Sequence, residues 1–374
     1  MAKFVVLGGY GGMGSVCVRD IFDTTNDEIV VAGRDLQKAK KFASSFKSRR
    51  VKAAQADVTN IEQTAKLLKG ADVCINCVQY YYNLNVMKAC LRARVNYIDL
   101  GGLYHTTKKQ LKLDGAFRKI KKIAILGCGS SPGTTNVMAA YGGRLLDSVE
   151  EVHFRFADKD YTNYSQPFVI PYSADTLIDE FTMPPAVFEK GRSRLVEPLS
   201  GGSTELFDHP VGGIRCFRIL HSEVATIPAY FKKKGVRLVD FKECFPQEFA
   251  DKVKFLIDLG FPRDVLVKTL GRWLPKPGTM INDLEFLVVE LTGKKKGVLK
   301  KITVACRAVS NKKRNIPAGT WDTGVPPSII AQMISKGDVK AAGATTPEFC
   351  VNPDAYFKEL KKRSMHVYVK ERSA

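Results

Sequence analysis

The stretch Lys3-Phe4-Val5-Val6-Leu7-Gly8-Gly9-Tyr10-Gly11-Gly12-Met13-Gly14 decides the fold. Its apolar run is short, ends in glycines and reads as a buried parallel β-strand. Met13, Val16, Cys17 and Ile21 then recur at helical spacing, so a helix follows at once. Gly9, Gly11 and Gly14 satisfy G-x-G-x-x-G. Glycine there permits a tight turn, close approach of the main chain to a pyrophosphate, and helix–strand packing. The helix start offers free N–H groups to phosphate. Gly9, Tyr10, Gly11, Gly12, Met13 and Gly14 are therefore candidate dinucleotide contacts.

The same rhythm continues outward. Strands are predicted at Glu28–Ala32, Val51–Ala56, Asp72–Val78, Asn96–Leu100 and Ile123–Gly127. Helices are predicted after Leu36, after a Thr59/Glu62 capping box, over Leu84–Ala93 and over Lys108–Ile120. Strand and helix in alternation imply a doubly wound parallel sheet, the Rossmann architecture. Past residue 130 the rhythm changes. Glu151–Ala157, Leu284–Leu291 and Lys300–Arg307 read as strands, the last two joined by a Gly293–Gly297 turn. Helices are read at Asp175–Phe181, Ser328–Lys336 and Pro353–Lys362. The chain thus divides into a dinucleotide-binding domain (1–130), an α+β substrate and dimerisation domain (131–320), and a C-terminal segment (321–374) returning to the first.

Composition narrows the function classes. Of 374 residues, 45% are hydrophobic and 26% charged, as in globular proteins. No run of apolar residues is long enough to span a bilayer, and the short apolar run at the N-terminus is expected to be a first strand and not a secretory leader. Nine cysteines without a framework pattern suggest reduced thiols in a cytoplasm. Cys74 and Cys77 spell C-x-x-C, but i and i+3 on a strand point to opposite faces, so neither a disulfide nor a metal pair is expected. Lys and Arg exceed Asp and Glu by 58 to 38, a net +20. That surplus lies in scattered runs such as Lys232–Lys234 and Lys294–Lys296, with no recognition helix or interleaved aromatics. Neither a nucleic-acid nor a membrane partner is expected.

Arg34 stands where an acidic residue would hold the ribose of NAD. A cation there favours the 2′-phosphate of NADP, with NAD still possible because Asp35 adjoins it. Asp57, with Val58, closes strand three, either flanking the adenine or capping the next helix. Tyr104 and Lys108 form Y-x-x-x-K, which is read as coincidence because no serine partner accompanies it.

Three further segments carry a resemblance. They are Asn96-Tyr97-Ile98-Asp99-Leu100-Gly101-Gly102, Gly127-Cys128-Gly129-Ser130-Ser131-Pro132-Gly133-Thr134-Thr135-Asn136, and Pro171-Tyr172-Ser173-Ala174-Asp175 through Glu180. With the glycine loop and Asp322-Thr323-Gly324-Val325-Pro326-Pro327, nearly the whole chain resembles the saccharopine dehydrogenase family. The resemblance implies hydride transfer between a nicotinamide and a carbon–nitrogen bond of a lysine-derived amino acid, and a homodimer. Lysine 6-dehydrogenases, or reductases of another imine or a polyamine, share the fold, and a non-catalytic NADP-binding scaffold also remains open.

Ligands of doubly wound folds lie beyond the carboxyl ends of the strands. Cys77, Val78, Gln79 and Tyr80 are therefore expected along the nicotinamide ribose and substrate, and Pro132, Gly133 and Asn136 beside them. Asp99 is read as an acid/base or orienting carboxylate, or as a loop cap. His105 is a candidate proton carrier or a plain loop histidine. In the second domain, Tyr172 belongs to the substrate entry. Glu223 is read either as recognising a substrate ammonium or as an ordinary carboxylate. Family members similar to lysine dehydrogenase carry an arginine beside the Glu223 position, and Ser222-Glu223-Val224-Ala225-Thr226 has none. Arg215, Arg218 and Arg237 are the nearest in sequence.

Overall fold

A computed structural model describes residues 1–373. The parallel strands are β1 (Lys3–Leu7), β2 (Glu28–Gly33), β3 (Val51–Gln55), β4 (Val73–Asn76), β5 (Asn96–Asp99) and β6 (Ile123–Ile125). The second region adds β7 (Glu151–Asp160), β8 (Ala186–Glu189), β9 (Arg192–Leu195), β10 (Ser203–Leu206), β11 (Gly213–Arg218), β12 (Leu238–Cys244), β13 (Asp283–Lys295) and β14 (Val298–Val309). The last strands are β15 (Gly343–Thr345) and β16 (His366–Ser373).

The first sheet runs β15-β6-β5-β4-β1-β2-β3, every pair parallel. This is the dinucleotide-binding order with one strand added. Alternate residues feed two cores. Phe4, Val6, Val31 and Ile75 face one side, and Val5, Leu7, Val30 and Cys74 the other. That alternation also separates the C-x-x-C pair. Cys74 lies by Cys90, while Cys77 lies by Cys17 across the sheet. Among the described residues no metal-holding group of His, Cys, Asp and Glu occurs, and no helix is long and apolar enough to cross a membrane.

The second sheet is mixed, in the order β10-β11-β12-β7-β13-β14-β16, with β8 and β9 branching from β12. Only β12 and β7 run parallel within it. The final segment serves both sheets, β15 joining β6 and β16 joining β14.

Several local expectations change. Asn60, not Thr59, caps the third helix, its Oδ1 accepting from Gln63 N. The single helix read over Lys108–Ile120 is two, Leu103–Leu111 and Asp114–Lys119. The β13–β14 strands run through the expected turn and close on Lys296 and Gly297, both at positive φ (50° and 79°), the backbone of a tight hairpin. The helix read from Ser328 begins ten residues earlier, at Ala318, and passes through Pro326 and Pro327. Proline argues against a helix interior, but residues 324–334 are all buried here, and tertiary packing overrides propensity. A Cβ on Gly324 would meet Val16 at 2.6 Å, so glycine lets this helix press against Gly12–Thr24. Cys216 and Cys244, directly opposed in β11 and β12, form a disulfide, unlike the reduced thiols expected. The other seven cysteines are free.

Candidate active site

The glycine loop makes a main-chain cradle. Gly11 N donates to Gly8 O at 2.9 Å, closing the turn. A Cβ on Gly14 would sit 2.3 Å from Gly8 O, and one on Gly8 (φ 72°) 2.8 Å from Cys77 O and 3.2 Å from the Val78 side chain. Gly12 opens the helix with clear space where a Cβ would stand, and no side chain caps the first turn. Free N–H groups beside open space fit a pyrophosphate. Met13 turns its carbonyl toward Gly324.

The Tyr10 ring covers Gly33, and its hydroxyl accepts from Asp35 N at 3.0 Å. The Asp35 carboxylate turns back to cap its own helix at Lys38 N. Arg34 stays exposed at the end of β2. Asp57 accepts from the N–H and hydroxyl of Thr59. Those bonds, with the nearby Arg34 charge, hold its carboxyl below the usual range. Val58 is buried behind it.

At the ends of β5 and β6 the loops brace one another. Asp99 is fully buried and receives four hydrogens. Its Oδ1 accepts from Gly101 N and Gly127 N, its Oδ2 from Tyr97 and Gln110. These bonds tie the two loops together and give both carboxylate oxygens donors. Pro132 packs on Gly101 and Gly127. Gly133 has φ 136° and would put a Cβ 2.1 Å from Gly129 O. Asn136 accepts from Gly133 N and donates to Glu348. Pro132, Gly133 and Asn136 thus shape the loop from within, where substrate contact had been expected.

What this loop presents is Ser131. Its hydroxyl and that of Thr135 donate to Glu223 Oε1 at 2.5 and 2.9 Å. The other oxygen, Oε2, bonds Nδ1 of His221, whose ring stacks on Phe241 at 3.9 Å. Burial opposes the charge of Glu223, but His221 and the hydroxyl donors outweigh it and lower its pKa. Burial likewise opposes protonation of His221, yet Glu223 and Glu180 raise its pKa. Glu180 is pushed up to about 7, chiefly by burial. Tyr172 donates to Glu180 at 2.5 Å and to Glu243 at 3.2 Å. Tyr80, half-buried after β4, reaches across to the second region and donates to Asp179 at 2.9 Å, which Arg263 also holds. Gln79 lies half-buried just before it.

His105 lies on the helix Leu103–Leu111. It packs edge-on to Tyr104 and lines a surface depression with Lys108, Lys109, Lys112 and Arg194. Its ring makes no hydrogen bond among the described residues. Arg215 and Arg218 lie against the Gly201–Gly202 loop, and Arg218 also lies 3.7 Å from Asp240. Sequence reading passed over His221, Ser131, Glu180 and Glu243. The His-x-Glu spacing and the charged residues alternating along otherwise apolar strands were the available signals.

A dinucleotide cradle after β1 and a titratable His–Glu pair joined to the loop after β6 lie at strand ends of one parallel sheet, the layout of a doubly wound oxidoreductase. Residues 4–125 match the saccharopine dehydrogenase NADP binding domain, and residues 129–365 the saccharopine dehydrogenase C-terminal domain. The chain belongs to the saccharopine dehydrogenase family. Among curated relatives it is 26% identical to the carboxyaminopropylagmatine dehydrogenase of Synechocystis, over 96% of this chain and 95% of that one. It is 22% identical to the carboxynorspermidine synthase of Vibrio cholerae, over 94% and 93%. Its fold resembles apo saccharopine dehydrogenase (L-Glu forming) from Saccharomyces cerevisiae, with TM-score 0.75, 14% identity and both chains covered in full. It also resembles the homospermidine synthase of Legionella pneumophila in complex with NAD, with TM-score 0.72, 16% identity, and 100% of this chain and 92% of that one covered.

Proposed function

We propose that this protein is a reductase that joins an amine to an aldehyde by hydride transfer, acting on a carbon–nitrogen bond of a polyamine-like substrate that also carries a carboxylate. The observation that carries the reading is His221, fixed by Glu223 next to Ser131, at the end of the sheet where doubly wound folds bind their ligands. The names of the two curated relatives, each aligned over nearly the whole chain, describe carboxylated amines and favour the polyamine class. A lysine-derived substrate such as saccharopine, formed from aminoadipate semialdehyde, is the second reading, and the family itself favours it.

A bound nicotinamide dinucleotide supplies hydride to the carbon of the C=N bond. Gly9 to Gly14 would hold its pyrophosphate, Asp57 and Val58 would lie toward its adenine end, and Cys77 to Gln79 toward its nicotinamide ribose. Arg34 favours NADP, since Asp35 spends its carboxylate on a helix cap. Glu223 holds Nδ1 of His221 and leaves Nε2 to move a proton. The imidazolium gives that proton to the hydroxyl of the carbinolamine, and C–O cleavage releases water and leaves the iminium. Hydride addition then yields the secondary amine. Glu180 and Glu223 balance the positive charge of the imidazolium, and a general acid so placed contributes about 100- to 10,000-fold.

The test is a turnover assay on purified protein with NADPH and NADH. It pairs diamines with aspartate semialdehyde, and glutamate with aminoadipate semialdehyde. Oxidation of NADPH with a diamine pair, faster than with the glutamate pair, is expected. Turnover with the glutamate pair alone would move the assignment to the lysine-derived reading. No turnover with either would refute both.

A further inference from the structure

Joining an amine to an aldehyde needs a second proton transfer besides the one given to His221. An alkylamine is an ammonium at neutral pH, with a pKa near the ~10.4 of a lysine side chain. The ammonium nitrogen has no lone pair to attack a carbonyl, so a base must first take its proton. His221 enters the same sequence as an acid, and a different group has to serve.

Glu180 is placed for that task. It lies on the helix Ala174–Thr182, one residue after Asp179, which Tyr80 and Arg263 hold. Tyr80 follows β4, the strand end where a nicotinamide ribose would pass. Only one oxygen of Glu180 is engaged, Oε2 accepting from the Tyr172 hydroxyl at 2.5 Å. Oε1 of Glu180 and Nε2 of His221 bond no described residue, yet neither atom is sealed from solvent. Glu180 keeps 4% of its surface exposed and His221 8%. Each shifts the proton affinity of the other, so the two groups lie near one another. The other titratable groups around Glu180 are Tyr172, Asp179 and Glu243, and Glu243 shares the Tyr172 hydroxyl at 3.2 Å. Burial sets Glu180 at about 7, where a base both takes and returns a proton near neutral pH.

We propose that Glu180 is the general base that takes the proton of the attacking ammonium, and that Tyr172 is a positioning residue that holds its other oxygen toward the amine. The proposal rests on the amine–aldehyde reading and supplies the base which that reading lacks. An N–H bond of the ammonium breaks, its proton goes to Oε1, and the freed lone pair bonds the aldehyde carbon as the carbonyl π pair moves to oxygen. A proton passing from nitrogen to that oxygen completes the carbinolamine. Protonated Glu180 no longer supports the charge on His221, so the ring gives its proton to the hydroxyl more readily. After hydride transfer the secondary amine takes back the proton on Glu180, and His221 recovers its own from solvent.

The test is kcat/KM for the amine against pH, with NADPH and saturating aldehyde. The wild-type profile should fall on the acid side of about pH 7, where Glu180 is protonated. Glu180→Gln should be about 100-fold or more slower at pH 7. Only free amine can react in that variant, so its deficit should shrink about 10-fold for each pH unit above 7. Tyr172→Phe removes a hydrogen bond that favours ionised Glu180 and should move the acid limb up by about one pH unit, a shift that a packing role would not produce. A Glu180→Gln profile parallel to the wild type would overturn the base and leave the reductase standing. An unmoved limb in Tyr172→Phe would overturn the positioning role, and that limb decides alone if Glu180→Gln does not fold. No turnover by the wild-type protein would refute the reductase reading and the base with it.

Discussion

His221 shows how a few neighbours can favour a protonated ring at a buried position. Burial alone would keep the ring neutral, but Glu223 against Nδ1 and Glu180 close by raise its pKa. Glu223 can stay charged at full burial because His221, Ser131 and Thr135 satisfy it. His221→Asn removes the mobile proton. It should lower kcat by about 100-fold or more with little change in NADPH affinity, and the acidic limb of the wild-type rate profile should change with it. An unchanged kcat would remove His221 from the chemistry. Little of this was legible beforehand, because the hydroxyls that satisfy Glu223, on Ser131 and Thr135, lie some ninety positions earlier in the chain. Asp99 illustrates the opposite case. A carboxylate at a strand end looks catalytic in sequence, but four donors converge on it and make it a brace.

Among the elements, the parallel strands were readable because both of their faces are buried and each continuous apolar run ends in turn residues. The helix Ala318–Lys336 was half hidden, since Pro326 and Pro327 break the local signal and only packing on Gly12–Thr24 restores it. The β11–β12 disulfide was invisible for a related reason, as strand register alone sets Cys216 against Cys244. The Gly129–Gly133 turn is the most constrained of the connecting elements. A Cβ on Gly133 would meet Gly129 O at 2.1 Å with the backbone at φ 136°. Gly133→Ala should therefore destabilise the protein by about 2 kcal/mol or more, through backbone strain, and should displace Ser131 from Glu223. Thermal unfolding and kcat on the same sample check both effects. A variant with the parent Tm and activity would show that the turn tolerates a side chain.

The whole molecule sets a basic surface, net +20, around an acidic interior. The surface runs gave no motif in sequence, and the buried carboxylates come together only when the strands pair, as Asp158 on β7 and Glu285 on β13 do. Burial raises Asp158 to about 6 and Asp322 to about 8, well above the ~4 of an unfolded aspartate. Groups raised in this way bind protons on folding, so the stability they lend is full below pH ~4 and is lost as pH rises through the folded values. The ligand-free protein should therefore lose stability between about pH 5 and pH 8, on the order of 2 kcal/mol for each such group. Thermal unfolding across the range would show it. A Tm that rises over the same interval would contradict the buried-acid description. The most direct measurement follows the hydride itself. Turnover of a diamine and aspartate semialdehyde with NADPH deuterated at the transferable position, read by mass spectrometry of the product, should place one deuterium on the carbon bonded to the new secondary nitrogen. A product amine without deuterium, or cofactor oxidation without any such amine, would contradict hydride transfer to a carbon–nitrogen bond.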